Sequence, residues 1–162
     1  MPRIMVLGLG NIFHQDKGLG LCAVRDLYRE QWPHDVQFVD RRMLGDRPID
    51  LHGVWGLVVL DAWQAGAPPG SMSRLSLEQV KAQPSLVPEP MLWRALALAD
   101  FLGQDLQVVF WGLEAEDTGC DLIFSPPVQR AYPDFLQAVR GELSCMLQDF
   151  GLEAPLAKAA SA

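Results

Sequence analysis

Apolar and polar positions along this chain fall into two alternating rhythms. Ile4-Met5-Val6-Leu7 is an unbroken apolar run that stops at Gly8-Leu9-Gly10-Asn11. Such a run fits a strand covered on both faces, as in a parallel sheet, and the glycines mark the turn that ends it. From about residue 16 to 31, Leu21, Val24, Leu27 and Tyr28 recur at helical spacing. Residues 36–39 read as a second strand closed by Asp40. A polar, turn-rich segment (41–48) follows, then a short helix near 49–53. Leu57-Val58-Val59-Leu60 is a third buried strand with Asp61 at its C-terminal end. After a Pro-Gly loop at 66–70, residues 71–75 alternate weakly, as an edge strand does. Residues 76–82 form a short helix capped by Ser76, and Pro84, Pro88 and Pro90 stiffen the next stretch. Residues 91–102 are helical up to Gly103, residues 108–112 form another buried strand, and a last helix spans about 133–150. Its Phe135, Val139, Leu143, Met146 and Phe150 share one face.

Strands alternating with helices predict an α/β fold with helices on both faces of a mainly parallel sheet. One domain over residues 1–152, with a flexible tail over 153–162, accounts for the pattern. In such sheets ligands bind outside the C-terminal ends of the strands. Those ends are residues 8–17, 40–42, 61–64 and 112–117.

Composition narrows the chemistry. The chain has 162 residues and a net charge of −7, which argues against nucleic-acid or anionic-membrane partners, since both require a basic face. No apolar run approaches the roughly 20 residues of a membrane-spanning helix, so no membrane insertion is expected. Cys22, Cys120 and Cys145 are too dispersed for a disulfide framework or a zinc pattern, and the cytoplasm is the expected compartment. Cys22 and Cys145 fall in helices as core thiols, and Cys120 has no base beside it. His34 and His52 read as surface residues, whereas His14 lies in the first strand-end loop.

The strand ends supply the candidates. Gly8 and Gly10 suggest a dinucleotide fingerprint, but Phe13 stands where the third glycine belongs. Asp16 suits the start of a helix, while Lys17 opposes the helix dipole there and is expected to face an anion. Asp61 at a buried strand end is either solvated in the crevice or paired. Trp63 and Trp111 follow strand ends and are expected at the crevice, as are Arg41 and Arg42.

The order of these motifs resembles the hydrogenase maturation proteases, which trim the C-terminus of the large subunit of nickel-iron hydrogenases. The resemblance rests on Met5-Val6-Leu7-Gly8-Leu9-Gly10-Asn11-Ile12, Asp16-Lys17-Gly18-Leu19-Gly20 and Val59-Leu60-Asp61-Ala62. It continues through Ala67-Pro68-Pro69-Gly70-Ser71, the Ala/Leu helix ending at Gly103, Trp111-Gly112-Leu113-Glu114 and Phe124-Ser125-Pro126-Pro127-Val128. It implies a three-layer helix-sheet-helix fold around a twisted sheet of about five strands. It also implies a crevice where a first-loop carboxylate, a strand-end Asp and a His before the Ala/Leu helix meet nickel carried by the substrate.

Carried over residue by residue, the Asp is kept as Asp61. The first-loop carboxylate falls on Lys17, next to Asp16, and the His falls on Pro88, next to Glu89. A glycine pair after the second strand falls on Arg41 and Arg42. Lys17 is therefore expected to face Asp61 in place of the metal, in a crevice made locally basic by the two Arg. The implied role is maturation of a nickel-iron hydrogenase, with the large-subunit precursor or a maturation factor as partner, no intrinsic cofactor, and impaired cleavage. Two other readings fit the residues. One is an active endopeptidase using Asp16, Asp61, Glu89 and His14 around a rearranged nickel crevice. The other is a small-anion-binding module built on Lys17, Arg41 and Arg42.

Overall fold

The computed structural model describes residues 3–11, 13–116, 119 and 122–152. Five strands, β1 (Ile4–Gly8), β2 (Val36–Asp40), β3 (Gly56–Trp63), β4 (Met72–Ser76) and β5 (Gln107–Glu114), form one sheet in the order β2-β1-β3-β5-β4. β4 alone runs antiparallel, beside β5; the other pairings are parallel. Four α-helices follow the strands: α1 (Leu19–Tyr28), α2 (Leu77–Ala82), α3 (Pro90–Phe101) and α4 (Pro126–Asp149).

The apolar runs lie in the middle of the sheet because both faces are covered. Ile4, Val6, Val58, Leu60 and Val109 point to one side, against α1 and α4. Met5, Leu7, Leu57, Val59 and Phe110 point to the other, against α2 and α3. The strand period of two thus divides each run between two cores. At the edge, β4 is polar and half-exposed, with Ser76 capping α2 through a reciprocal bond with Gln79. The expected α/β three-layer architecture is present.

Several boundaries differ from the sequence reading. The first helix begins with a 3-10 turn at Gln15–Gly18. No helix forms at 49–53; a 3-10 turn at Arg41–Leu44 carries the chain there, and Ile49 and Leu51 enter the core from irregular backbone before a turn at 52–53. The last helix starts at Pro126, so Pro133 lies inside it. A proline in the first helical turn fits the N-terminus at Pro126, and the buried Val128, Phe135 and Leu136 hold the helix together across Pro133. β3 extends past Asp61 to Trp63, placing Asp61 within the strand. Cys145 is exposed and Cys22 half-buried. Cys120, Asp117 and the proposed tail at 153–162 lie outside the described residues.

Gly20 sets how closely α1 approaches the sheet. A Cβ there would collide with the carbonyl oxygens of Leu60 and Leu9, and one at Gly8 would meet the Gly20 carbonyl. Gly20→Ala is therefore expected to destabilise the fold by at least the ~1–3 kcal/mol typical of overpacking, read from urea unfolding midpoints.

Candidate functional site

The C-terminal ends of β1 and β3 open into a crevice of about 330 Å³. Gly10, Asn11, His14 and Lys17 of the first loop form one wall; Asp61, Pro88 and Glu89 form the other. A larger hollow of about 660 Å³ lies at the opposite end of the strands, against Trp55 and Phe150.

The first loop is folded to aim Lys17. Gly10 has φ 110°, a conformation L side chains rarely adopt, and a Cβ there would strike the Lys17 carbonyl. That carbonyl accepts from the Asn11 N–H at 2.9 Å, closing the loop on itself. The Lys17 Nζ then reaches across to β3 and donates to the Ala62 carbonyl at 2.6 Å. The ammonium is thus bonded to the peptide beside Asp61 rather than to the carboxylate itself.

Asp61 is 4% exposed, and its Oδ1 accepts from the Ala62 N–H at 2.8 Å. Burial pushes its carboxyl up to about 6. The Lys17 ammonium and the Ala62 N–H pull it back, while the negative charge of Glu89 adds to the rise.

Each arginine has its own carboxylate. The Arg41 Nε sits 3.2 Å from Glu89 Oε1, and its Nη1 donates to the Gly45 carbonyl at 3.0 Å. Arg42 turns back on Asp40, at 2.7 Å and 3.2 Å, while Asp40 also caps the Arg42 N–H. The expectation of a locally basic crevice is corrected: both guanidinium charges are matched.

Three further candidates move away from the crevice. Asp16 is fully buried beneath the first loop, where it accepts from the Ser125 N–H (2.8 Å), the Ser125 hydroxyl (2.7 Å) and the Glu116 N–H (2.9 Å). It ties the first loop to the segment after β5 and to the start of α4. Trp63 is 1% exposed in the core under α3, because β3 continues through it. Trp111 packs on the opposite face, its Nε1 donating to Glu142 at 3.3 Å. Strand-end tryptophans were expected at the crevice; the alternation of the strands turns them into the two cores instead.

One structural carboxylate escaped the sequence reading. Glu114, 4% exposed, accepts from the N–H groups of Ala65 and Gly66 and so holds the loop after β3. Its signal was a carboxylate just after an apolar strand run, as with Asp61, but only the register Trp63↔Glu114 brings it to that loop. Among the described residues no group of three His, Cys, Asp or Glu is placed to hold a metal ion. No described helix is long and apolar enough to cross a membrane.

No family model matches the chain. It is 36% identical over 109 residues to the hydrogenase expression/formation protein HupD of Thiocapsa roseopersicina, covering 63% of this chain and 49% of the relative. The chain thus spans about half the length of that curated relative. It is 31% identical over 137 residues to HupD of Bradyrhizobium diazoefficiens, covering 78% of this chain and 70% of that one. The chain belongs to the hydrogenase maturation protease family. The hydrogenase maturating endopeptidase HybD of E. coli superposes with a TM-score of 0.73 at 26% identity, covering 94% of this chain and 96% of its own. The fold is thus shared over nearly all of this chain.

Two outcomes test the geometry. The folded Asp61 binds its proton more tightly than the unfolded chain, so its contribution to stability is full below pH 3.8 and is lost as pH rises to about 6. Over those two or so units the loss is on the order of 3 kcal/mol. The stability of Asp61→Asn relative to the parent should rise by a comparable amount across that window and level off above it, measured by urea unfolding. Asp16→Ala removes the acceptor of both buried Ser125 donors and of the part-buried Glu116 N–H and is expected to cost roughly 3–5 kcal/mol, whereas Lys17→Ala should cost much less.

Proposed function

We propose that the chain acts in maturation of the large subunit of a nickel-iron hydrogenase, in the cytoplasm, as a homologue that recognises the precursor or a maturation factor and does not cut it. Similarity to HupD and HybD supports the maturation role. The observation that carries the loss of cleavage is the crevice wall itself. Lys17 and Pro88 stand at the two positions where the family resemblance implies a carboxylate and a histidine, and the Lys17 ammonium is bonded at 2.6 Å beside the remaining Asp61.

An ammonium has no lone pair to give a metal, and proline has no side-chain donor. The residues present therefore do not suit contact with nickel held by a substrate. Nickel, where it enters, is cargo of the precursor rather than a cofactor of this chain. What the crevice offers is a shaped recess with internally matched charges beside an exposed Asn11 and His14. The small-anion reading is disfavoured by the ion pairs that occupy Arg41 and Arg42.

The test is incubation of the tagged chain with nickel-loaded large-subunit precursor. The precursor is expected to co-purify with its C-terminal extension intact by mass spectrometry. Catalytic trimming overturns the loss of cleavage, and failure to capture both the precursor and the accompanying maturation factors overturns recognition.

A further inference from the structure

We infer that Arg41, which meets the crevice through its contact with the lining residue Glu89, is a specificity-determining residue: its guanidinium holds Glu89 so that the crevice refuses a free divalent cation. Its use in maturation rests on the reading proposed above; the geometry that carries it does not. Asp61 and Glu89 line the same recess and are near enough for the charge of one to act on the other. Two carboxylates facing one recess are ordinary oxygen donors for a divalent ion. Here each is met by a cation from a separate loop. Lys17 comes from the turn after β1 and bonds beside Asp61. Arg41 comes from the turn after β2 and reaches Glu89 at the start of α3.

The Arg41 contact is built rather than incidental. Its side chain is 17% exposed and that of Glu89 24%, so solvent screens the pair less than a surface ion pair. The Gly45 carbonyl fixes the other edge of the guanidinium at 3.0 Å. Arg42, next in sequence, pairs locally with Asp40 and leaves Arg41 as the arginine that spans to α3. A metal ion entering the recess has to displace this charge to gain its second carboxylate. The consequence is a crevice that meets a metal-bearing partner without drawing the metal from it.

Calorimetric titration of the full chain with Ni²⁺ and with Cd²⁺ tests this. The parent is expected to show no binding up to about 1 mM, and Lys17→Glu only weak binding. Lys17→Glu combined with Arg41→Ala should bind at least about tenfold more tightly than Lys17→Glu, the scale of one charged hydrogen bond. Lys17→Glu with Arg41→Lys, which keeps the charge, should stay near Lys17→Glu. Adding Glu89→Gln to the Arg41→Ala double variant should abolish its gain. Equal affinity of Lys17→Glu with and without Arg41→Ala overturns the inference, as does nickel binding by the parent. Circular dichroism confirms that each variant is folded, and the Arg41→Lys comparison separates loss of charge from loss of loop structure. If the metal series behaves as expected but the precursor is not captured, the maturation role fails and the role of Arg41 stands; the reverse result removes Arg41 alone.

Discussion

A carboxylate sealed from solvent has to find its hydrogen-bond donors within the protein, and Asp16 finds them on segments 100 and 109 residues away. Its bonds to Ser125 and to the Glu116 N–H draw together the turn after β1, the segment after β5 and the start of α4. The crevice depends on that tether. Lys17 follows Asp16 directly, so the residue that anchors the loop also sets where the ammonium projects. An unpaired buried charge at this position would cost several kcal/mol, which makes the arrangement close to all-or-none.

Glu114 plays the same part for another loop, holding the segment after β3 through Ala65 and Gly66. Two buried carboxylates thus serve as fasteners, and a third, Asp61, faces the recess. Their burial is similar and their surroundings differ. Asp16 and Glu114 are supplied with N–H and O–H donors; Asp61 accepts one backbone N–H and has a lysine nearby, so desolvation dominates its titration. The recess is consequently an environment of matched ions rather than an open cluster of metal donors.

The fold was legible because the sheet is parallel and doubly covered: its strands read as apolar runs, and turn glycines punctuate them. Pro133 misled the sequence reading, since a proline at a plausible helix start is indistinguishable by local rules from one tolerated within a long packed helix. The segment at 49–53 misled for the opposite reason, its apolar Ile49 and Leu51 being buried from irregular backbone. Among site residues, Asp61, Lys17 and His14 line the recess from strand-end segments, whereas Glu89, a position offered only by the family resemblance, reaches it from the residue before α3. Trp63 and Trp111 turn into the cores, because side-chain direction at a strand end depends on where the strand stops, and Asp16, within the 3-10 turn at Gln15–Gly18, faces its donors on Ser125 and Glu116. β3 and β5 each continue past the point where the apolar run ends.

The sequence by itself determined the layer order, the family resemblance and the replacement of two expected metal-contacting positions by Lys17 and Pro88, since identity and spacing are local properties. Tertiary structure alone decided which charges meet. Arg41 and Arg42 are neighbours in sequence and identical in chemistry, yet one closes on Asp40 two residues away and the other on Glu89 across the rim. Ion pairing falls steeply with distance, and that distance is fixed only when β2 and α3 pack at the same end of the sheet.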